Sequence, residues 1–168
     1  RLRGDTVEAE QLFEQVAQAR PNDGDVQLHL ASTRYLNGKI EEARVGYARA
    51  LELDPNLIGA HIGLGQLALN SGNENLAENH FRIALRAGED GHALTGLGNV
   101  AARREDWDAA LRYLTRAAEL VPEYALTQLL LGQAFARKGL TTFALQALNH
   151  ALRLDPSMHL VHPWLAEV

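Results

Sequence analysis

The chain contains no cysteine, no excess of positive charge and no long apolar run. The absence of cysteine excludes disulfide bonds, thiolate catalysis and cysteine-ligated zinc, although it does not assign the protein to a compartment. A net charge of -5 is not that of a chain built to neutralise nucleic-acid phosphates, so we expect no nucleic-acid partner. No apolar run approaches the ~18 residues that a bilayer span needs, so we expect no direct membrane insertion.

The composition is that of a folded protein. Hydrophobic residues make up 46% of the 168 residues and charged residues 22%, the balance of a folded rather than a disordered chain. A chain of this length forms one ordinary domain or a short stack of repeats. The first residue is Arg1 and no charged-then-apolar signal segment follows it. We therefore expect an excised or processed piece of a longer chain.

The chain repeats itself about every 34 residues. The stretch "ALELDPN" at residues 50–56 returns as "ALRLDPS" at residues 151–157. Prolines close most copies, at intervals of 34, 67 (34 + 33) and 34 residues: Pro21, Pro55, Pro122 and Pro156. Two alanine series share the interval: Ala43, Ala77, Ala110 and Ala144, then Ala50, Ala84, Ala117 and Ala151. A larger apolar residue lies between them each time, at Tyr47, Phe81, Leu114 and Leu148.

Each copy has the apolar spacing of two helices. Apolar residues recur at intervals of three and four, which is typical of an amphipathic helix. Glycine divides three copies at Gly38, Gly72 and Gly139, and "RED" at residues 104–106 divides the other. Asp106, and Thr141 or Thr142, are expected N-caps. A single hairpin cannot bury its apolar face, so the copies must stack, which predicts a right-handed superhelix of antiparallel helix pairs.

These features resemble the tetratricopeptide repeat. The resemblance rests on the alanine series, the terminal prolines and a leucine before a small residue in each copy: Leu30-Ala31, Leu64-Gly65, Leu97-Gly98 and Leu131-Gly132. It implies an all-α fold, a right-handed α-solenoid in a single domain over residues 1–168. Four complete repeats cover residues 24–57, 58–90, 91–124 and 125–158, with partial repeats at 1–23 and 159–168.

The sequence departs from the family pattern at two kinds of position. The usual early tryptophan is replaced by Gln27, His61, Leu94 and Gln128. The usual tyrosine of the first helix is replaced by Arg34, Ala68 and Ala101, and Phe135 keeps an aromatic ring. Because the hydrophobic pattern outranks single identities, the fold prediction is unchanged.

The resemblance implies a protein or peptide partner, bound in a concave groove lined by first helices. Helical geometry places the groove on the face turned away from the leucine-small pair. The residues on this face are Leu28, Ser32 and Tyr35, then Ile62, Gln66 and Asn70, then Thr95, Asn99 and Arg103, and finally Leu129, Gln133 and Arg137.

Two rows of groove residues suggest how a peptide binds. One row is mostly apolar: Leu28, Ile62, Thr95 and Leu129. The other carries uncharged hydrogen-bonding groups: Ser32, Gln66, Asn99 and Gln133. Amides both donate and accept, so this row predicts a clamp on the backbone of an extended peptide. The clamp differs from that of chaperone-binding relatives, because Leu28 and Thr95 stand where those carry lysines.

The sequence contains no pattern that indicates catalysis, a cofactor or a metal site. Arg103-Arg104 and Arg137-Lys138 lie at the ends of predicted first helices, where cations offset the helix dipole. His159 and His162 have helical spacing, but Pro163 indicates that the helix begins only there. The glycines of "GLGQ" and "GLGN" at 63–66 and 96–99 lie inside helix patterns, which favours close helix contact over a phosphate loop.

Two alternatives stay open beside the scaffold. In the first, the chain is a substrate-docking or targeting arm of a larger enzyme of glycosyltransferase, sulfotransferase or hydroxylase type. In the second, it self-associates through apolar ends that include Leu160, Trp164 and Leu165.

One copy breaks the pattern at "ALRAGED", residues 84–90. It keeps Ala84, Leu85 and Ala87 as packing residues but has Gly88 and Gly91 in place of the proline. We therefore expect an altered angle or higher mobility at residues 88–91.

Overall fold

The computed structural model describes residues 2–168, with the side chains of residues 6–168. Every regular element in this range is helical, which confirms the all-α prediction. The ten α-helices are α1 Leu2–Ala19, α2 Gly24–Leu36, α3 Ile40–Leu53, α4 Ile58–Asn70, α5 Glu74–Ala84, α6 Gly91–Arg103, α7 Trp107–Leu120, α8 Ala125–Arg137, α9 Thr141–Leu154 and α10 His162–Glu167, and a short 3-10 helix spans His159–Val161.

Consecutive helices pack as hairpins. Helix α2 pairs with α3, α4 with α5, α6 with α7 and α8 with α9, while α1 packs against α2 and α10 packs against α8 and α9. The chain divides into two compact units at the bond between Ala87 and Gly88. We call residues up to 87 the N-terminal unit and residues from 88 the C-terminal unit.

Side-chain caps begin four of the helices. The carboxylate or amide oxygens of Asp23, Asn73, Asp90 and Asp106 accept hydrogen bonds from backbone N–H groups of the first turn. These bonds satisfy donors that a helix start leaves without partners. The N-cap prediction is confirmed at Asp106 and is wrong for α9, where Thr141 is already helical and Leu140 occupies the cap without a side-chain bond.

Each turn inside a hairpin contains one residue with a left-handed backbone conformation, that is, with a positive φ. Glycine supplies it at Gly38, Gly72 and Gly139, with φ of 78°, 79° and 71°. In the third repeat the residue is Glu105, with φ of 61°. A side chain in this region is strained because its Cβ approaches the following carbonyl. The "RED" segment thus forms the same turn as glycine does, at a conformational cost.

Close helix contact explains three of the four glycines of "GLGQ" and "GLGN". A Cβ on Gly63 would lie 2.4 Å from the Tyr47 ring, and one on Gly65 would lie 2.7 Å from Phe81. In the C-terminal unit a Cβ on Gly98 would lie 2.5 Å from Leu114. These glycines let first and second helices approach each other, as the sequence predicted.

The core of each unit follows the repeat. In the N-terminal unit a buried cluster joins Ala31, Ala43, Tyr47, Ala50, Ala60 and Leu67. In the C-terminal unit one cluster includes Ala110, Leu114, Leu130, Leu131 and Ala134. A second cluster there joins Leu129, Leu148, Ala151 and Val161, with Trp164 and Leu165 packed against it.

The unusual copy has a shortened second helix. Helix α5 has 11 residues and ends at Ala84, whereas α3, α7 and α9 each have 14. Residues 85–90 connect it to α6, and Gly88 has φ of 150°, a region that favours glycine. Ala84 is buried as expected, but Ala87 is exposed and does not pack. The copy without the proline therefore has a shorter second helix and a longer connection to the next repeat.

Candidate functional site

In the N-terminal unit, three predicted groove residues form one polar network between α2 and α4. The Asn70 Nδ2 atom donates to the Tyr35 hydroxyl oxygen at 3.1 Å. The Gln66 Nε2 atom donates to Asn70 Oδ1 at 3.0 Å. Asn70 is exposed, and the other two side chains are half-buried. The structure thus brings together residues from two successive first helices.

Ser32 is already engaged within its own hairpin. Its hydroxyl donates to the Leu28 carbonyl oxygen at 3.0 Å and accepts from the Tyr47 hydroxyl at 3.3 Å. Burial raises the pKa of Tyr47, as does the charge of Tyr35, while the bond with Ser32 lowers it. Tyr47 therefore stays protonated as a donor. Ser32 anchors helix α2 to α3 and has little remaining capacity for a partner.

The apolar groove residues of the N-terminal unit are partly accessible. Leu28 and Ile62 are half-buried. A Cβ on Gly59 would lie 3.0 Å from a terminal carbon of Leu28, which shows that Leu28 packs onto the start of α4. These two side chains retain apolar area beside the Gln66–Asn70–Tyr35 network.

The structure corrects the apolar row at two positions in the C-terminal unit. Thr95 is only 2% exposed, and its hydroxyl donates to the Gly91 carbonyl at 2.8 Å and lies 2.7 Å from the Thr127 hydroxyl. Leu129 is also 2% exposed, within the cluster of Leu148 and Val161. Neither side chain offers a partner a surface, because the helical period places these residues on the border of the buried stripe.

The remaining predicted residues of this unit are accessible. Asn99 and Gln133 are half-buried, and Arg103 and Arg137 are exposed. Both arginines lie in the last turn of their helices, α6 and α8, where their charge offsets the helix dipole. In the C-terminal unit, the predicted amides Asn99 and Gln133 are therefore accessible, and the first helices α6 and α8 each end in an exposed arginine.

Sequence reasoning missed Trp164 as part of this surface. The Arg137 guanidinium lies over the Trp164 ring, 4.7 Å from its centroid, a cation–π contact. Trp164 belongs to α10, which begins at His162 with Pro163 in its first turn, as the proline indicated. The 34-residue step puts Trp164 level with Leu130 of α8, which is buried, so the spacing gave no signal for this contact.

A buried carboxylate lies at the other end of the N-terminal unit. Glu10 of α1 is 4% exposed and accepts from Lys39 Nζ at 2.9 Å and Asn37 Nδ2 at 2.7 Å. The Arg34 Nε atom lies 3.6 Å from the same carboxylate, and Arg34 also pairs with Glu14 and Glu42. Arg34, which replaces the tyrosine of the family pattern, is thus the centre of an ionic network.

This network sets the charge state of Glu10. Burial alone would raise the pKa of Glu10, but hydrogen bonds from Lys39 and Asn37 outweigh it, together with the charges of Lys39 and Arg34. The net result is a pKa below the ordinary value. Glu10 is therefore ionised at neutral pH and has a structural role rather than an acid–base role.

Neither the side-chain cluster that a metal site requires nor a membrane-spanning helix is found in the described part of the chain. Within residues 6–168, no three His, Asp or Glu side chains come together as a metal site would require. The rings of His159 and His162 have centroids 6.3 Å apart. None of the helices there has the length and apolar character of a membrane span.

Comparison with sequence models of known families finds the tetratricopeptide repeat. One such model matches residues 1–56, and a second matches residues 62–111 and 95–159. The second therefore spans more than half of the chain. No curated protein sequence matches the chain significantly.

Solved structures resemble the fold closely. YrrB, described as a TPR protein with an unusual peptide-binding site, is 28% identical with a TM-score of 0.67, covering 91% of this chain and 79% of that one. A chain of the APC/C hetero-tetramer Cut9-Hcn1 is 24% identical with a TM-score of 0.89, covering 97% and 33%. TTC0263 from Thermus thermophilus, a thermophilic TPR protein, is 19% identical with a TM-score of 0.78, covering 98% and 91%. The last two likenesses concern the fold alone.

Proposed function

This chain belongs to the tetratricopeptide repeat family, whose fold supports a protein-interaction scaffold, and we propose that it binds an extended peptide segment of its partner along the first helices. Proteins with such repeats are generally non-catalytic. The partner would contact the surface formed by Leu28, Tyr35, Ile62, Gln66 and Asn70 in the N-terminal unit. We call this surface the amide face.

The observation that carries the proposal is the Gln66–Asn70–Tyr35 network. Each bond in it uses only part of the hydrogen-bonding capacity of its members. Tyr35 accepts from Asn70 and keeps its own hydroxyl proton for a carbonyl oxygen, while Gln66 keeps a second N–H and its carbonyl oxygen. Because the three side chains hold one another in place, less rotamer entropy is lost when a peptide backbone binds.

The C-terminal unit contributes a related set of residues. Asn99 and Gln133 offer further amides on α6 and α8, and Arg103 and Arg137 add positive charge at the helix ends. An acidic side chain in the peptide would be attracted to these arginines, and that attraction would weaken with salt. Because Thr95 and Leu129 are buried, Leu28 and Ile62 would supply the apolar contacts with the peptide.

The likeness to YrrB supports peptide recognition. YrrB is described as having an unusual peptide-binding site and covers 91% of this chain at 28% identity. The same kind of ligand on this chain is part of the proposal.

The test replaces three amides together. Peptides selected by the whole chain from a random library are titrated by calorimetry against the Gln66→Ala, Asn99→Ala, Gln133→Ala triple variant. Each lost hydrogen bond contributes about 1 kcal/mol, so affinity should fall at least roughly tenfold. The matched control replaces two glutamines and one asparagine that are exposed on second helices: Gln15, Asn79 and Gln146. Equal affinity of the triple variant and the control would refute the clamp.

A further inference from the structure

Two histidines of the N-terminal unit are joined across the hairpin of α4 and α5. His61 on α4 is 8% exposed, and His80 on α5 is half-buried. Their Nδ1 atoms lie 3.1 Å apart. The other ring nitrogen of His61, Nε2, lies 3.1 Å from the carbonyl oxygen of Pro55. Both nitrogens of His61 are therefore within hydrogen-bond distance of a partner.

The chemistry of these partners fixes the protons. A carbonyl oxygen only accepts, so the His61 Nε2 atom must carry hydrogen and donate to Pro55. A neutral imidazole has one N–H group, so His61 Nδ1 is an acceptor. The hydrogen between the rings therefore belongs to His80 Nδ1, which donates to His61.

The relative placement of the rings favours a hydrogen bond over a shared metal. The ring centroids are 5.4 Å apart, and the nitrogens are 3.1 Å apart. The distance between the centroids exceeds the distance between the nitrogens by nearly two imidazole ring radii, one for each ring. Both Nδ1 atoms therefore lie close to the line that joins the ring centres and face each other along it. Two ligands of one metal would instead point towards a centre off that line.

The hydrogen bond from His80 Nδ1 to His61 Nδ1 can persist when the pair binds one added proton, but not when it binds two. The first binds the outer nitrogen of His80, Nε2, and leaves the bond between the rings intact. A second would have to bind His61 Nδ1 and would place two N–H donors face to face. Burial lowers the pKa of His80, and the charge of His61 lowers it further.

The elements that pack against α4 also carry ionisable groups. Helix α3 presents Tyr47, whose ring lies against Gly63 of α4, and α2 presents Tyr35 through its bond to Asn70. Asp54 precedes α4 and accepts from the Asn56 backbone N–H at 2.9 Å.

Helix α5 itself carries the ion pair of Glu78 and Arg82, at 2.7 Å. Arg86 lines a cavity of about 220 Å³ beside His61, together with Pro55, Ile58 and Ile83. This cavity gives water a route to His61, and its arginine adds no negative charge that would hold a second proton.

We propose that His61 and His80 form a proton-sensitive latch that holds α4 against α5 at neutral pH and releases it on acidification. The unfolded chain binds protons at the ordinary histidine pKa, whereas burial and the charge of His61 lower the pKa of His80 in the folded chain. Stability is therefore lost as the pH falls through that ordinary value. Helix α4 carries Ile62, Gln66 and Asn70, so opening the latch would disturb the amide face. That last consequence rests on the proposed function, and the latch itself does not.

The experiment follows the imidazole signals and amide hydrogen exchange of the whole chain by NMR between pH 8 and pH 5. The His80 ring should titrate below the ordinary histidine pKa. After correction for intrinsic rates, exchange at the amides of α4 and α5 should rise several-fold more on acidification than exchange in α2 and α3. A His80 midpoint at or above the ordinary histidine pKa would overturn the latch.

A matched pair of variants tests the cause. In His80→Gln the amide nitrogen can still donate to neutral His61 Nδ1, and after a flip of the amide its oxygen can accept from a protonated His61 Nδ1. Because two donors never face each other in this variant, the excess acid sensitivity of α4 and α5 should disappear. His162→Gln should keep it. Acid sensitivity that persists in His80→Gln would refute the proposal, and the wild-type titration decides if that variant does not fold. Peptide affinity separates the two proposals: a titrating latch with pH-independent affinity removes only the link to the amide face, while an ineffective amide triple variant removes only the proposed function.

Discussion

Glu10 ties α1 to the first hairpin through charge rather than through apolar packing. Its carboxylate accepts hydrogen bonds from Lys39 and Asn37, and the Arg34 side chain lies beside it. A buried carboxylate without such partners would be strongly destabilising. The partners explain why a charge is tolerated at a position with little solvent contact, and they make that position sensitive to substitution.

Replacing Glu10 by glutamine should destabilise the chain by about 1–2 kcal/mol, because charged hydrogen bonds are lost, while Lys39 stays half exposed and Arg34 keeps Glu14 and Glu42 as partners. Urea unfolding measures the change. Glu42→Gln, which removes an exposed partner of Arg34, should change stability by less than about 0.5 kcal/mol. Equal effects of the two substitutions would contradict a special role for Glu10.

The same carboxylate predicts an acid limit to stability. Its folded pKa lies below the ordinary value, so its contribution is complete above the unfolded pKa and is lost as the pH falls through the folded one. Urea midpoints of the wild type and Glu10→Gln should therefore converge at acid pH. A constant difference between pH 7 and pH 3 would show that Glu10 does not titrate as proposed.

Glu105 offers a substitution that should stabilise. Its left-handed conformation costs about 1–2 kcal/mol, which glycine avoids at some entropic expense, so Glu105→Gly should gain about 1 kcal/mol. Thermal and urea unfolding measure it. The mirror variant Gly139→Glu should lose a similar amount, since its side chain meets open space and only the backbone is strained. A stabilised Gly139→Glu variant would argue against backbone strain as the cause.

At the scale of helices, each hairpin has a glycine at a place where its two helices approach closely, and a Cβ atom there would clash with the facing helix. In the last hairpin a Cβ on Gly132 would lie 2.5 Å from Leu148, which is fully buried and has no space to move. Gly132→Ala should therefore cost about 1–3 kcal/mol through overpacking.

A double-mutant cycle isolates this contact. Leu148→Ala alone should cost about 2–5 kcal/mol. The double variant should be more stable than the sum of the two losses, with a coupling of about 0.5–3 kcal/mol. Strict additivity would mean that Gly132 is required for a reason other than space for Leu148.

The helices were predictable because their signals are periodic and redundant. Alanine series, terminal prolines and turn glycines all point to the same hairpins, so single departures such as Arg34 do not mislead. The groove was less predictable, because a rotation of one residue moves a side chain across the border of the buried stripe. Thr95 and Leu129 are on the buried side of that border, and the His61–His80 contact depends on side-chain packing that no spacing encodes.

At the scale of the molecule, the connection at residues 85–90 divides the chain. Arg86 is exposed there, and just beyond it Glu89 forms an ion pair with Arg116 of α7. Limited trypsin digestion should cut first after Arg86, because an exposed connection opens more readily than a hairpin turn. Mass spectrometry identifies the cut. A first cut after Arg104 or Lys138, both in hairpin turns, would contradict greater mobility at this joint.

Self-association through the apolar ends stays a prediction, as does the docking-arm alternative that the full-length gene would decide. Leu160 is 70% exposed, whereas Val161 is fully buried, so removing residues 159–168 would also uncover Leu129. Leu160→Gln is the cleaner change. If the ends mediate association, light scattering should give a lower mass for this variant and for the deletion. An unchanged mass in both would remove the idea.

The boundary at Gly88 also bears on how such chains can be recombined. A crossover there leaves the buried clusters around Tyr47 and around Leu114 each within one parent. A crossover at residue 58, although it follows the repeat, would separate Gly59 from Leu28 and Gly63 from Tyr47, so both parents would need matching shapes on each side. Chimeras joined at residue 58 should therefore fold well only when the two parents carry compatible residues at both of these contacts.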